Sequence, residues 1–192
     1  MLLVVRHADA GDKRSWEGPD VLRPLSPVGR RQAEGLVLRL EDFPVERILC
    51  SPTVRCQQTV TPLSRDRFLQ IEPAAALGLD GTLAQVHAML WDRKLRNGVL
   101  CTHGETIGQL LTELLAAGEL VVEDPLDWPK GSTWLLQRID RRQVLGRFLA
   151  PLELGDAYGA AHWGQSRGHP RYGELGVVTC HEQGSRTRAQ GR

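Results

Sequence analysis

Two arginines and two histidines of this chain occupy positions from which they could act together. Arg6 and His7 close a short apolar run of strand type, Leu2 to Val5. Arg55 follows a second such run, Arg47 to Cys50, and His103 a third, Gly98 to Cys101. Open α/β sheets bind their ligands at the carboxyl ends of the strands, so three strand ends would bring Arg-His, Arg and His to one place. A neutral imidazole is a nitrogen nucleophile near neutral pH, and a guanidinium presents a fixed fork of donors that matches phosphate oxygens. The chemistry this set suits is phosphoryl transfer, which depends mainly on positioning and charge neutralisation. Taken singly, Arg55 could be a surface helical residue and His103 a hydrogen-bonded strand-end histidine. A metal bound by His7, Asp9 and His103 is a further alternative, although the chain lacks a fuller ligand cluster.

The segments around these residues are Arg6-His7-Ala8, Ser51-Pro-Thr-Val-Arg55-Cys-Gln-Gln-Thr59 and His103-Gly104. In order and spacing they resemble the histidine phosphatase, or phosphoglycerate mutase-like, superfamily, and the resemblance runs from Leu2 to about Pro151. The short length and the segment Arg23-Pro-Leu-Ser26 with Gly29 look most like the small SixA-type phosphohistidine phosphatases, and like the phosphatase half attached to some Nudix hydrolases. The resemblance implies a three-layer α/β/α sandwich with a mostly parallel central sheet. It also implies a phosphohistidine intermediate on His7, with Arg6, Arg55 and His103 around the phosphoryl oxygens and no metal or other cofactor. Two departures stand out. Ala8 to Trp16 replaces the Asn and Thr or Ser that mutase-like members carry near the phosphate, which leaves Lys13 or Arg14 to supply that contact or to pair with Asp12 in solvent. Gly104 stands where some members carry an acid, so the proton donor is Asp80, Glu105 or, as in SixA-type members, no dedicated residue. Arg23 either lines the site or braces the loop; Arg14 and Arg23 are the substrate-binding candidates.

Composition narrows the partners. With 24 basic against 23 acidic residues among 192, the net charge of +1 gives no footprint for nucleic acid, and the expected partner is a phosphorylated protein or small molecule. The four cysteines (50, 56, 101 and 180) lack metal-type spacing and read as reduced thiols of a cytoplasmic protein. The N-terminal apolar run is too short for a signal peptide, and no later run reaches membrane-spanning length.

The alternation of strand-like and helix-like segments is the pattern of an α/β sandwich. Ser26-Pro27 reads as N-cap and first residue of a helix to about Leu40, with Ala33, Leu36, Val37 and Leu40 on one face. Ser51-Pro52 reads the same way, with a helix to about Leu63 that sets Arg55 in its first turn, where free N–H groups favour an anion. A strand over Phe68 to Glu72 leads to a helix capped by Thr82. A helix from Glu105 to Ala117, a loop from Gly118 to Ser132 and a hairpin over Thr133 to Ile139 and Val144 to Leu149 complete a domain at 1–152. Residues 153–192 read as a loosely packed tail, apart from Trp163 and a Leu175 to Val178 patch. Only 73–97 separates the third strand from the fourth, too little to roof the pocket. An open site disfavours a mutase and suits hydrolysis of phosphohistidine or another phosphate with a good leaving group. A non-catalytic phosphate-recognition module, and a phosphatase partner of a separate Nudix enzyme, are the alternatives.

Overall fold

The computed structural model describes residues 1–122 and 125–154; the expected tail, with Trp163 and the Leu175 to Val178 patch, lies outside them apart from its first two residues. Seven strands form one sheet in the order β3-β2-β4-β1-β6-β7-β5. They are β1 (Leu2–Arg6), β2 (Arg47–Cys50), β3 (Ile71–Pro73), β4 (Gly98–Thr102), β5 (Leu120–Val122), β6 (Thr133–Arg138) and β7 (Val144–Leu149). β1 pairs parallel to β4, β4 to β2 and β2 to β3, and only β6 runs against the rest. Four helices cover the sheet: α1 (Pro27–Arg39), α2 (Val54–Arg67), α3 (Leu83–Trp91) and α4 (Gly104–Ala116).

β1 and β4 are apolar without alternation because both of their faces are buried. Leu3 and Val5 pack with Leu36, Val60 and Leu63 of α1 and α2. Leu2 and Val4 pack on the opposite face with Val86, Leu90, Ile107 and Leu110 of α3 and α4. The two helix layers therefore meet opposite faces of the strand that ends in Arg6-His7, and this division governs the site.

The helix starts follow from local chemistry. Ser26 Oγ accepts from Gly29 N, with Pro27 as the first helical residue, and Thr82 and Gln85 form a capping box at α3. α2 corrects the expectation at both ends. It begins at Val54 with Thr53 as N-cap, while Ser51 Oγ accepts from Thr53 N at 3.3 Å and also meets His103, and it runs past Pro62 to Arg67. Phe68 then takes a left-handed conformation (φ 55°) and ends the helix, so the following strand starts at Ile71 rather than Phe68. The region expected to be loop from Gly118 to Ser132 contains β5, which pairs parallel to β7. Three residues carry no readable period, and this strand forms only because the hairpin presents an edge to it. At the other end of the described chain, Glu153 ion-pairs with Arg31 at 2.7 Å.

Candidate active site

Backbone hydrogen bonds fix the exit of β1 from both sides. Arg6 N donates to Ser132 O, His7 N to Thr102 O, and Gly131 N to His7 O, at 3.0, 3.0 and 3.2 Å. His7, buried to 6% exposure, donates from Nδ1 to the Ala8 carbonyl at 2.8 Å, which leaves the lone pair on Nε2. Burial pushes its pKa down to about 4, with the Arg55 charge adding to the effect and the Ala8 carbonyl opposing it. The imidazole is neutral throughout the physiological range.

His103 lies with its ring centroid 5.5 Å from that of His7. Arg55 Nη2 approaches His103 Nδ1 at 3.3 Å, and Ser51 Oγ lies 3.0 Å from Nε2. A guanidinium only donates, so Nδ1 is the acceptor and Nε2–H donates to Ser51. Arg55, in the first turn of α2, is buried to 3% exposure. The end of its motif holds the loop after β1: Thr59 Oγ1 donates to Arg55 O at 2.7 Å and accepts from Ala8 N at 2.9 Å, while Gln58 accepts from Leu25 N at 2.8 Å. Arg6 points to the other layer, where its Nη1 donates to Trp128 O at 2.7 Å against the start of α4. The Nε atoms of Arg6 and Arg55 are buried with no hydrogen-bond partner among the described residues.

Asp20 is the residue that sequence reasoning missed. Its carbonyl accepts from Arg55 Nη1 at 2.7 Å, its Oδ2 lies 3.2 Å from Arg55 Nη2, and its Oδ1 accepts from Arg23 Nε at 2.9 Å. Partial burial works against its ionisation, but Arg23 and Arg55 outweigh that and hold its pKa below the ordinary value. The available signal was an acid three residues ahead of a base, Asp20 and Arg23, in a loop otherwise hard to read. Arg23 also donates to Ala10 O at 2.7 Å and so braces the loop, one of the two roles expected of it. Arg14 lies exposed on the short turn Lys13–Ser15, with its backbone N–H on Asp12 Oδ1. Lys13 Nζ lies 3.9 Å from Asp20 Oδ2.

Asp9 is spoken for elsewhere. It meets Lys130 Nζ and Ser26 Oγ, each at 2.6 Å, and Gly11 N at 2.9 Å. Partial burial opposes its charge, yet these partners hold its pKa at about 2. A metal shared by His7, Asp9 and His103 would compete with these partners for the Asp9 carboxylate, and the described residues contain no group of three or more ligand side chains placed for a metal. Of the expected proton donors, Asp80 is exposed beyond β3. Glu105 lies in the first turn of α4, where its own amide and the Arg6 charge lower its pKa against the effect of burial.

The low pKa of His7 has a measurable consequence for stability. Its folded value, about 4, lies below the unfolded 6.5, so the unfolded chain takes up a proton first as pH falls. The stability linked to this group is complete above 6.5, declines by about 3 kcal/mol between 6.5 and 4, and is level below that. His7→Gln is expected to remove this decline. Denaturant unfolding of both proteins across that pH range checks it, and parallel curves would contradict it.

Known proteins resemble this chain in sequence and in fold. The family model of the histidine phosphatase superfamily (branch 1) matches residues 2–78, which include His7, Arg6 and Arg55. An 8-oxo-(d)GTP phosphatase of Mycolicibacterium smegmatis is 34% identical over 155 residues, covering 78% of this chain and 48% of the relative, so the chain spans about half that protein's length. The tungstate complex of the protein histidine phosphatase SixA shares the fold with a TM-score of 0.58 at 21% identity, over 79% of this chain and 96% of that one. The alpha-ribazole phosphatase of Shigella flexneri shares it at 0.52 and 16% identity, over 77% and 95%. Over residues 2–78 the chain matches the histidine phosphatase superfamily. No helix among the described residues is long and apolar enough to cross a membrane.

Proposed function

We propose that this chain is a metal-independent phosphohydrolase that works through a phosphohistidine on His7, acting on phosphohistidine or another phosphate with a good leaving group. The observation that carries this reading is the 2.8 Å hydrogen bond from His7 Nδ1 to the Ala8 carbonyl, which fixes the tautomer with a free Nε2 in a buried site beside Arg55 and His103. Nε2 attacks phosphorus, the bond from phosphorus to the leaving group breaks, and the leaving group departs with its electron pair. Arg6 and Arg55 offset the charge on the phosphoryl oxygens, and His103 joins them once it takes a proton on Nδ1. Water then attacks phosphorus, the P–N bond breaks with its electron pair returning to Nε2, and the proton that water loses passes through solvent to the departed leaving group, so phosphate is released and His7 is neutral again. Arg14, exposed on the turn Lys13–Ser15, is assigned to substrate contact in the same reading. A cytoplasmic location fits the buried free thiols Cys50, Cys56 and Cys101.

The segment 73–97 supports hydrolysis over mutase chemistry. It holds only α3 and two short turns, Ala75–Leu77 and Arg93–Leu95, and so places no roof of its own over the site. Incubation with labelled substrate followed by an acid-free quench should trap an acid-labile, base-stable phosphoenzyme; label on Asp, Ser or Cys would overturn the mechanism. EDTA should leave the rate unchanged, because guanidinium and imidazole groups supply the charge that a metal would otherwise bring. Loss of activity in EDTA with recovery on adding a divalent ion would count against the reading.

A second reading rests on the 34% identical relative named an 8-oxo-(d)GTP phosphatase. On that reading the substrate is a nucleotide-derived phosphate and the chain acts beside a Nudix-type partner. Rates across phosphohistidine peptides, nucleotides and sugar phosphates separate the two.

A further inference from the structure

In-line displacement places the leaving group opposite the nucleophile. β1 alternates its side chains, so His7 continues the row of Leu3 and Val5 towards α1 and α2, while Arg6 continues the row of Leu2 and Val4 towards α3 and α4. His103 and Arg55 stand together on the His7 side. A phosphoryl group that His7 attacked from its own side of the sheet end would release its leaving group towards the Arg6 side. A groove of about 820 Å³ opens there, with Arg6 and Gly104 at its head. That volume is far beyond what a phosphate alone requires and falls in the range of small-molecule sites.

Consecutive turns of α4 form the floor of the groove. A methyl group at position 104 would stand 2.6 Å from Arg6 Cζ, and one at position 108 would stand 2.6 Å from the Trp128 ring, so both glycines are needed for Arg6 and Trp128 to lie against the helix. Trp128 O accepts from Arg6 Nη1, which ties this aromatic wall to the arginine of the site. Leu83 lines the groove opposite, and Gln109, Thr112 and Glu113 continue it away from the site. Arg6 is its one cationic lining residue among those described, whereas Glu105 and Glu113 are anionic. We propose that this groove is the leaving-group site and selects substrates with a single phosphoryl group on a planar, uncharged or cationic leaving group, against those carrying further phosphates. The inference rests on the phosphohydrolase reading and deepens it.

Phosphonates, whose P–C bond is not hydrolysed, separate binding in the groove from leaving-group reactivity. Inhibition constants are measured on the full chain for inorganic phosphate, methylphosphonate, phenylphosphonate and phenylphosphonates bearing a para aminomethyl or carboxylate group. Phenylphosphonate should bind about tenfold more tightly than methylphosphonate, and the aminomethyl compound more tightly than the carboxylate. Trp128→Ala should erase the phenyl preference while inorganic phosphate binds as before. Trp128→Leu, which keeps apolar bulk against α4, should do the same and guards against a folding defect in the alanine variant. Glu113→Lys should invert the order of the two charged compounds. A phenyl preference that survives both Trp128 variants, or a charge order that Glu113→Lys leaves unchanged, overturns the proposal. Failure of every compound, inorganic phosphate included, to bind the wild-type protein would instead remove the phosphohydrolase reading beneath it.

Discussion

His7→Ala is expected to abolish turnover, lowering kcat by about four orders of magnitude or more, because removal of a nucleophile eliminates the covalent route and leaves only the binding groups. The fold should survive. His7 lies at the end of β1, where its ring contacts polar neighbours such as His103, so its loss opens little apolar cavity. Its burial as a neutral base also means that the variant escapes the acid-side penalty described above. Single-turnover kinetics with an aryl phosphate, together with a thermal melt, check both halves. A variant that melts normally and still turns over at a rate near wild type would show that His7 is not the nucleophile.

Arg55→Lys should lower kcat/KM by about 10²- to 10³-fold despite keeping the charge. The guanidinium of Arg55 spans three partners at once: Asp20 O, Asp20 Oδ2 and His103 Nδ1. A lysine ammonium is a point charge and cannot hold the loop through Asp20 while also presenting planar donors to a phosphoryl group. It would also leave Asp20 without its paired fork, beside a site that must take an anion. The loss should appear in kcat as well as KM, because the charge Arg55 neutralises grows towards the transition state. A change in KM alone would reduce Arg55 to a binding residue.

The candidate site of this protein was legible in its sequence to the extent that it is carried by residues next to strands. Apolar runs announce β1, β2 and β4, and strand ends in a parallel sheet converge, so Arg6, His7, Arg55 and His103 could be assembled from order alone. Ser26-Pro27 and Thr82 marked helix starts because a cap is a contact between near neighbours. What only the tertiary structure decided depends on distant partners. Ser51 meets His103, 52 residues away, and Asp20 finds Arg55, 35 residues on. Trp128 meets Arg6 across 122 residues, and β5 exists because β7 offers it an edge. Local sequence fixes backbone preference and the alternation of faces. Which polar group satisfies another is settled only when the sheet order brings them together, since a buried donor can take only an acceptor that packing leaves beside it.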